Sequence, residues 1–250
     1  MNGKIAIAYI HDGKTLHPEF VRSLDRFKNY DAEHRNLIDP RSPITVGGSF
    51  LEANRNGTVH GLLDTLDDEW MLSLDTDIGF EPDLPYKLLD AADPVERPIV
   101  AGMYVGYLKV GLWPIWFKRH GEVYRQLMLA DINPQAQLMP IDAAGMGFCL
   151  IHRSVFERIR DGRMASSSLR VRNDPWIWFG RDLVRCEDGT WERLSEDLTF
   201  FRRVERAGFK GKVFGHCEVG VDHYKTRVEN IKTVVERIEL MNLHANEVRS

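Results

Sequence analysis

Three short apolar runs, separated by stretches of helical periodicity, restrict the fold of this chain more than any other feature of its sequence. Residues 4–10 (KIAIAYI) are apolar, partly β-branched and bounded by Asp12-Gly13, which predicts a buried strand ending in a turn. Pro18 then opens an amphipathic stretch in which Phe20, Val21, Leu24 and Phe27 recur at helical spacing, and proline is tolerated in a first helical turn. Residues 40–48 give a second short strand. Residues 49–66 give a helix with Phe50, Leu51, Ala53, Val59, Leu62, Leu63 and Leu66 as its apolar stripe. Residues 70–74 (WMLSL) read as a central strand, and residues 84–92 as a short helix. This alternation implies an α/β fold, a mostly parallel, Rossmann-like central sheet flanked by helices. Such sheets bind ligands beyond the carboxyl ends of their strands, where Asp12 and the pair Asp75/Asp77 fall.

The second half is less regular. Residues 98–107 and 112–118 read as strands, residues 141–151 as a glycine turn leading into a strand, and residues 154–160 as a short helix. Residues 161–193 are rich in Arg, Asp, Gly and Trp with little periodicity, which predicts a long irregular loop; loops of that length in compact domains are often functional. A helix over 195–207 is stopped by Gly208, and a last strand follows over 212–221. From Val228 onward, Ile231, Val234, Val235, Ile238 and Met241 make one helical stripe. The expected organisation is one domain over residues 1–225 and a terminal helix over 226–250. That helix either packs on the domain or pairs with a second copy as a homo-oligomer.

Composition removes several function classes. The formal net charge of -4 argues against a general nucleic-acid binder, which wants a basic face. Three cysteines, an odd number with no CxxC spacing, argue against a disulfide framework and against a cysteine zinc site, and suit a cytoplasmic location. No stretch reaches the ~18 apolar residues of a transmembrane segment. The apolar run at residues 5–10 is too short for a signal peptide.

Three motifs carry chemistry, and two weaker features stand beside them. In Asp75-Thr76-Asp77, alternate residues just past a strand project to one side, and two hard oxygen ligands there suit Mg²⁺ or Mn²⁺ with a diphosphate. An acidic turn capping the next segment is the plainer reading. Ser195-Glu196-Asp197 opens a helix: Ser is a good N-cap and acids favour a first turn, while a carboxylate there also serves as a general base. His223, just after a strand, is either a core-edge histidine or a metal ligand. Gly145-Met146-Gly147 either admits a sugar or phosphate close to the backbone or simply turns tightly. Trp176, Trp178 and Phe179 in the long loop either stack on a sugar or hold the loop down. No dinucleotide fingerprint, P-loop, HExxH or GxSxG is present.

In their order these motifs resemble GT-A glycosyltransferases, in particular the family 2-like group. The resemblance spans roughly residues 4–225. It rests on Asn54-Arg55-Asn56, Leu74-Asp75-Thr76-Asp77-Ile78, Val100-Ala101-Gly102-Met103-Tyr104, the stretch 142–153, Ser195-Glu196-Asp197-Leu198 with Arg202-Arg203 and Ala207-Gly208-Phe209, and His223. The resemblance implies a GT-A nucleotide-diphospho-sugar transferase fold. It also implies a hexosyltransferase that takes its sugar from a nucleotide-diphosphate donor, UDP-linked by default, with Mn²⁺ or Mg²⁺. It would place the nucleotide against Tyr9, His11, Asp12 and Arg55, and Asp75 on the ribose or metal. Asp77 and His223 would be metal ligands, and Gly145 and Gly147 would lie beside the donor sugar. Asp197, with Glu196 before it, would be the base of an inverting transfer. His11-Asp12-Gly13 stands where the family usually has a proline, and retaining enzymes share the acidic pair and the late histidine. The acceptor, whether protein, glycan or small molecule, is not specified. Closure of the 161–193 loop over the donor is also expected. The rival readings are a nucleotidyltransferase and a non-catalytic nucleotide-sugar-binding module. A nucleotidyltransferase would want a glycine-rich basic loop where residues 9–14 have none.

Overall fold

The computed structural model describes residues 4–11, 16–48, 50–108, 111–133, 135–162, 177–224 and 228–229. Asp12, Gly13, Trp176 and the stripe from Ile231 to Met241 lie outside them.

The elements expected in the first ninety residues are present, β1 (Ile5–His11), α1 (Pro18–His34), β2 (Ile44–Gly47), α2 (Leu51–Thr65), β3 (Trp70–Asp75) and, after an unexpected two-residue β4 (Ile78–Gly79), α3 (Leu84–Ala91); Val21, Phe50 and Leu51, read as parts of the apolar stripes, are exposed instead. After β5 (Ile99–Met103) come the hairpin β6 (Val105–Leu108) and β7 (Gly111–Pro114), then β8 (Trp116–His120), β9 (Val123–Gln126), β10 (Leu138–Ile141) and β11 (Ala143–Ala144). The chain returns through β12 (Phe148–His152) and α4 (Arg153–Asp161), then β13 (Leu183–Arg185), β14 (Trp191–Arg193) and α5 (Glu196–Val204). It closes with β15 (Val213–Gly220), β16 (Asp222–Tyr224) and β17 (Val228–Glu229).

Seven strands form the central sheet in the order β10-β15-β5-β12-β3-β1-β2. β1 is parallel to both β2 and β3, and β15 is parallel to β5; β12 runs against β3 and β5, and β10 against β15. Most strands therefore point one way, with helices around the sheet, as the alternation predicts. Both faces are covered, so the strands read as continuous apolar runs. Ile5, Ile7, Leu72, Leu74 and Leu150 pack toward Phe20, Phe27 and Leu88 of α1 and α3. Ala6, Ala8, Met71, Cys149 and Ile151 pack toward Leu62, Phe156 and Phe200 of α2, α4 and α5.

Three expectations for the second half need correction. The 161–193 segment is not wholly irregular: β13 and β14 pair across a turn at Asp188-Gly189, where Gly189 adopts φ 84°. The Asp-Gly turn signal was in the sequence, but strands of three residues are too short to show a period. The strand over 212–221 is not the last, since β16 and β17 follow it. Val228–Glu229, expected to open the terminal helix, pairs instead with β16.

Asn56 of α2 holds the start of the described part of that segment. Its Oδ1 accepts from the backbone N–H groups of Trp178 (2.8 Å) and Phe179 (2.9 Å), and its Nδ2 donates to Phe179 O (2.9 Å). Trp178 and Phe179 are accordingly buried, and the indole of Trp178 donates to Phe156 O. Both rings hold the loop down, as the second of the two readings has it. Asn56→Ala orphans two buried N–H groups at once and is expected to cost about 3 kcal/mol, read by urea denaturation. A loss under about 1 kcal/mol would mean that the segment is held by something else.

Candidate active site

The site begins with a buried cation. Asn54 donates from Nδ2 to His11 O (3.3 Å) and Gly48 O (3.0 Å), tying the first turn of α2 to the ends of β1 and β2. That anchoring turns Arg55 inward, where the residue is only 4% exposed. One guanidinium nitrogen, Nη2, lies 3.1 Å from Asp75 Oδ1 at the end of β3. Nε lies 3.3 Å from Asp197 Oδ1 and 3.8 Å from Glu196 Oε1 in the first turn of α5. The Phe179 ring covers the guanidinium from 6.0 Å.

A charge so placed would be costly to bury alone. Burial pulls the Arg55 ionisation down, but Asp197, Asp75 and Glu196 together hold it above its ordinary value. Asp197 feels the opposite balance. Burial pushes its carboxyl up to about 7; Arg55 pulls it down, while Glu196 and Asp75 push it up again. Ser195 does cap α5, its Oγ accepting from Leu198 N at 3.3 Å, so capping and siting of the two acids coincide.

The turn at 145–147 joins the two acidic elements. Gly147 O accepts from Asp75 N (2.9 Å), and Met146 N donates to Asp197 Oδ2 (3.2 Å). Tyr104 explains both glycines. Its hydroxyl accepts from Gly147 N (3.1 Å), a Cβ on Gly145 would fall on that hydroxyl, and a Cβ on Gly147 would come within 3.0 Å of Asp75 Oδ2. The group that lies against the backbone at both glycines is thus a tyrosine of the same chain. Burial drives the Tyr104 phenol well above its usual range, so it stays protonated. Sequence reasoning gave Tyr104 no role, because a tyrosine inside an apolar run looks like core.

The second carboxylate of the acidic pair goes elsewhere. β4 pairs with β16, setting Ile78 opposite His223, and Asp77 Oδ2 lies 3.4 Å from His223 Nε2. His223 Nδ1 is 2.7 Å from Val105 O. A carbonyl only accepts, so Nδ1 carries the proton and a neutral ring presents its lone pair at Nε2. Histidine and carboxylate, with the ring oriented by a carbonyl, fit a divalent cation such as Mn²⁺. Among the described residues no group of three or more His, Cys, Asp or Glu side chains is arranged to hold a metal.

The other expected nucleotide contacts lie along β1. Tyr9 packs edge-on against Phe20 at 5.1 Å, and burial raises its phenol. His11 lies over Gly47, where any Cβ would meet the imidazole.

No family model matches the chain, and no curated protein does. Solved structures do. The crystal structure of A197 from STIV aligns with a TM-score of 0.51 at 16% identity, covering 88% of this chain and 85% of that one. The likeness is one of fold. The crystal structure of GalNAc-T7 with UDP, GalNAc and Mn²⁺ scores 0.49 at 11% identity, covering 89% of this chain and 44% of that one. A glycosyltransferase involved in the glycosylation of the major capsid of PBCV-1 scores 0.32 at 11% identity, covering 85% of this chain and 93% of that one. No helix among the described residues is long and apolar enough to cross a membrane.

Arg55→Met would leave three carboxylates facing one another without a cation, at an expected cost of about 3–5 kcal/mol near neutral pH. Without the guanidinium, the folded variant binds protons at higher pH than the wild type does. Its deficit should therefore shrink as the pH falls below about 7 and grow above it. Denaturation curves across that range check the sign; a deficit independent of pH would mean lost packing, not lost charge.

Proposed function

We propose that the chain transfers a glycosyl unit from a nucleoside diphosphate sugar to an acceptor hydroxyl, with inversion and with Asp197 as the general base. The observation that carries this reading is the poise of Asp197. A carboxyl pushed up to about 7, beside a cation at 3.3 Å, is close to the ideal for a base working near neutral pH. Its place in the first turn of α5, across Arg55 from the end of β3, supports a role at the carboxyl edge of the sheet, where ligands of such folds bind. The ordered motifs of the sequence support a nucleotide-sugar donor, with UDP the first choice.

In this reading Asp197 takes the proton from the acceptor hydroxyl as that oxygen forms its bond to the anomeric carbon. The bond from that carbon to the diphosphate breaks, through a transition state of oxocarbenium character. Arg55 stays paired with Asp75 while the charge on Asp197 is neutralised, so the site keeps its shape as the proton arrives. Tyr104 and the 145–147 turn fix the distance between the two acids. Asp77 and His223 would hold the Mn²⁺ or Mg²⁺ that this chemistry calls for, which when bound offsets the charge on the departing diphosphate.

Two measurements test the reading. Calorimetric titration of UDP with Mn²⁺ present should show binding that chelator removes and Asp77→Ala abolishes. If the folded protein with metal binds neither UDP nor GDP, glycosyl transfer is excluded as its activity. Once a donor is in hand, kcat/KM should rise with pH through about 7 and level off above it, since a base acts only when ionised. Asp197→Asn should lower kcat by about 10²–10⁴-fold. A profile with no ionisation in that range would remove Asp197 from the role.

A further inference from the structure

The β13–β14 hairpin buries Val184 on one side and leaves the other side exposed. Cross-strand pairing sets Leu183 opposite Arg193 and Arg185 opposite Trp191, and alternate residues share a face. Val184, on the inner face, is 2% exposed; Leu183 is 57% and Trp191 66% exposed. The outer face therefore carries one indole, one leucine and two guanidinium groups, with no acid among the four. Neighbouring arginines are paired: Arg181 with Glu52, and Arg202 and Arg203 with Asp182. Neither Arg185 nor Arg193 has a carboxylate partner among the described residues.

This face is rigidly tied to the candidate base. Leu194 N donates to Asp182 O (2.9 Å), and Asp182 N donates to Thr199 Oγ1 of α5 (3.1 Å). Arg193 precedes Asp197 by four residues, so their Cα atoms are at most about 14 Å apart. A flat aromatic surface stacks on the apolar side of a pyranose ring, and unpaired guanidinium groups take carboxylates in bidentate fashion.

We propose that the outer face of this hairpin binds the acceptor, and that the acceptor is a carboxylate-bearing oligosaccharide. That the ligand is the acceptor rests on the glycosyl-transfer reading; its chemical class rests on the hairpin alone. A nucleic acid would also stack on Trp191, but Glu187 and Asp188 occupy the adjoining turn and the chain is net acidic, at -4. Charge complementarity thus stops at a short patch suited to a few carboxylates.

The test is calorimetry with three probes: hexagalacturonate, neutral maltohexaose and a twelve-residue oligothymidylate. Hexagalacturonate should bind about tenfold or more tighter than maltohexaose, a difference of about 1.4 kcal/mol. Trp191→Ala should weaken it about tenfold, and the double variant Arg185→Ser/Arg193→Ser should weaken it similarly and flatten its salt dependence. All three side chains are exposed, so the variants should keep the wild-type Tm and the wild-type response to UDP with Mn²⁺. Absence of hexagalacturonate binding, binding unchanged in both variants, or tighter binding of the oligothymidylate would each overturn the proposal. Variant-sensitive hexagalacturonate binding in a protein that ignores UDP would uphold the hairpin as a saccharide surface while removing the transfer reading.

Discussion

A guanidinium enclosed at the start of α2 must be met by negative charge, and the chain meets it from two directions. Asp75 comes from the end of β3, and Glu196 and Asp197 come from the start of α5, more than a hundred residues later. Removing water strengthens each attraction, and it also raises the cost of leaving any member unpaired. The arrangement thereby fixes α2, β3 and α5 relative to one another at the carboxyl edge of the sheet. It also leaves more carboxylates than cations, and with burial this displaces the Asp197 carboxyl upward.

Packing carries the same constraint into the backbone. Tyr104 stands where side chains at 145 and 147 would be, and its hydroxyl takes the Gly147 N–H. The two glycines are therefore required by a neighbour inside the fold. The aromatic pair Trp178/Phe179 serves a related end. Held by Asn56, it brings the Phe179 ring over Arg55 and shuts the guanidinium away from solvent. The three residues of Asn54-Arg55-Asn56 thus divide the work: the first ties two strand ends, the second is the buried cation, and the third anchors the loop.

Much of this was legible in the sequence. Strands covered on both faces leave strong patterns, and the elements read in the first ninety residues are present, although Val21, Phe50 and Leu51 of the expected stripes face out. Asp75, Asp77, Glu196 and Asp197 stand at or beside element ends, where chemistry-bearing residues are conspicuous, and His223 lies within the short β16. The relation between Asp75 and Asp77 was not legible. The rule that alternate residues share a side holds within a strand, and β3 ends at Asp75; Thr76 and Asp77 form a turn before β4 begins, so one acid meets Arg55 and the other His223. Tyr104 was hidden because its partner is a backbone N–H more than forty residues away, and β13 and β14 because three residues cannot display a period.

The reversed direction of β12 has a consequence for how such a chain can vary. β5 leaves the sheet at Met103 and β12 returns to it at Phe148, on the same rim, because the two strands run in opposite senses. Everything between them leaves from one edge and is tied back at several points: β10 lies along β15, Arg119 reaches Glu205, Glu122 reaches Arg202, and the Trp116 indole donates to Gly102 O. Changes of length are therefore confined to the turns between those ties, such as the one at Gly121 between β8 and β9. The connection can thus vary at its turns, while Tyr104 and the 145–147 turn at its two ends stay bound to the charged centre.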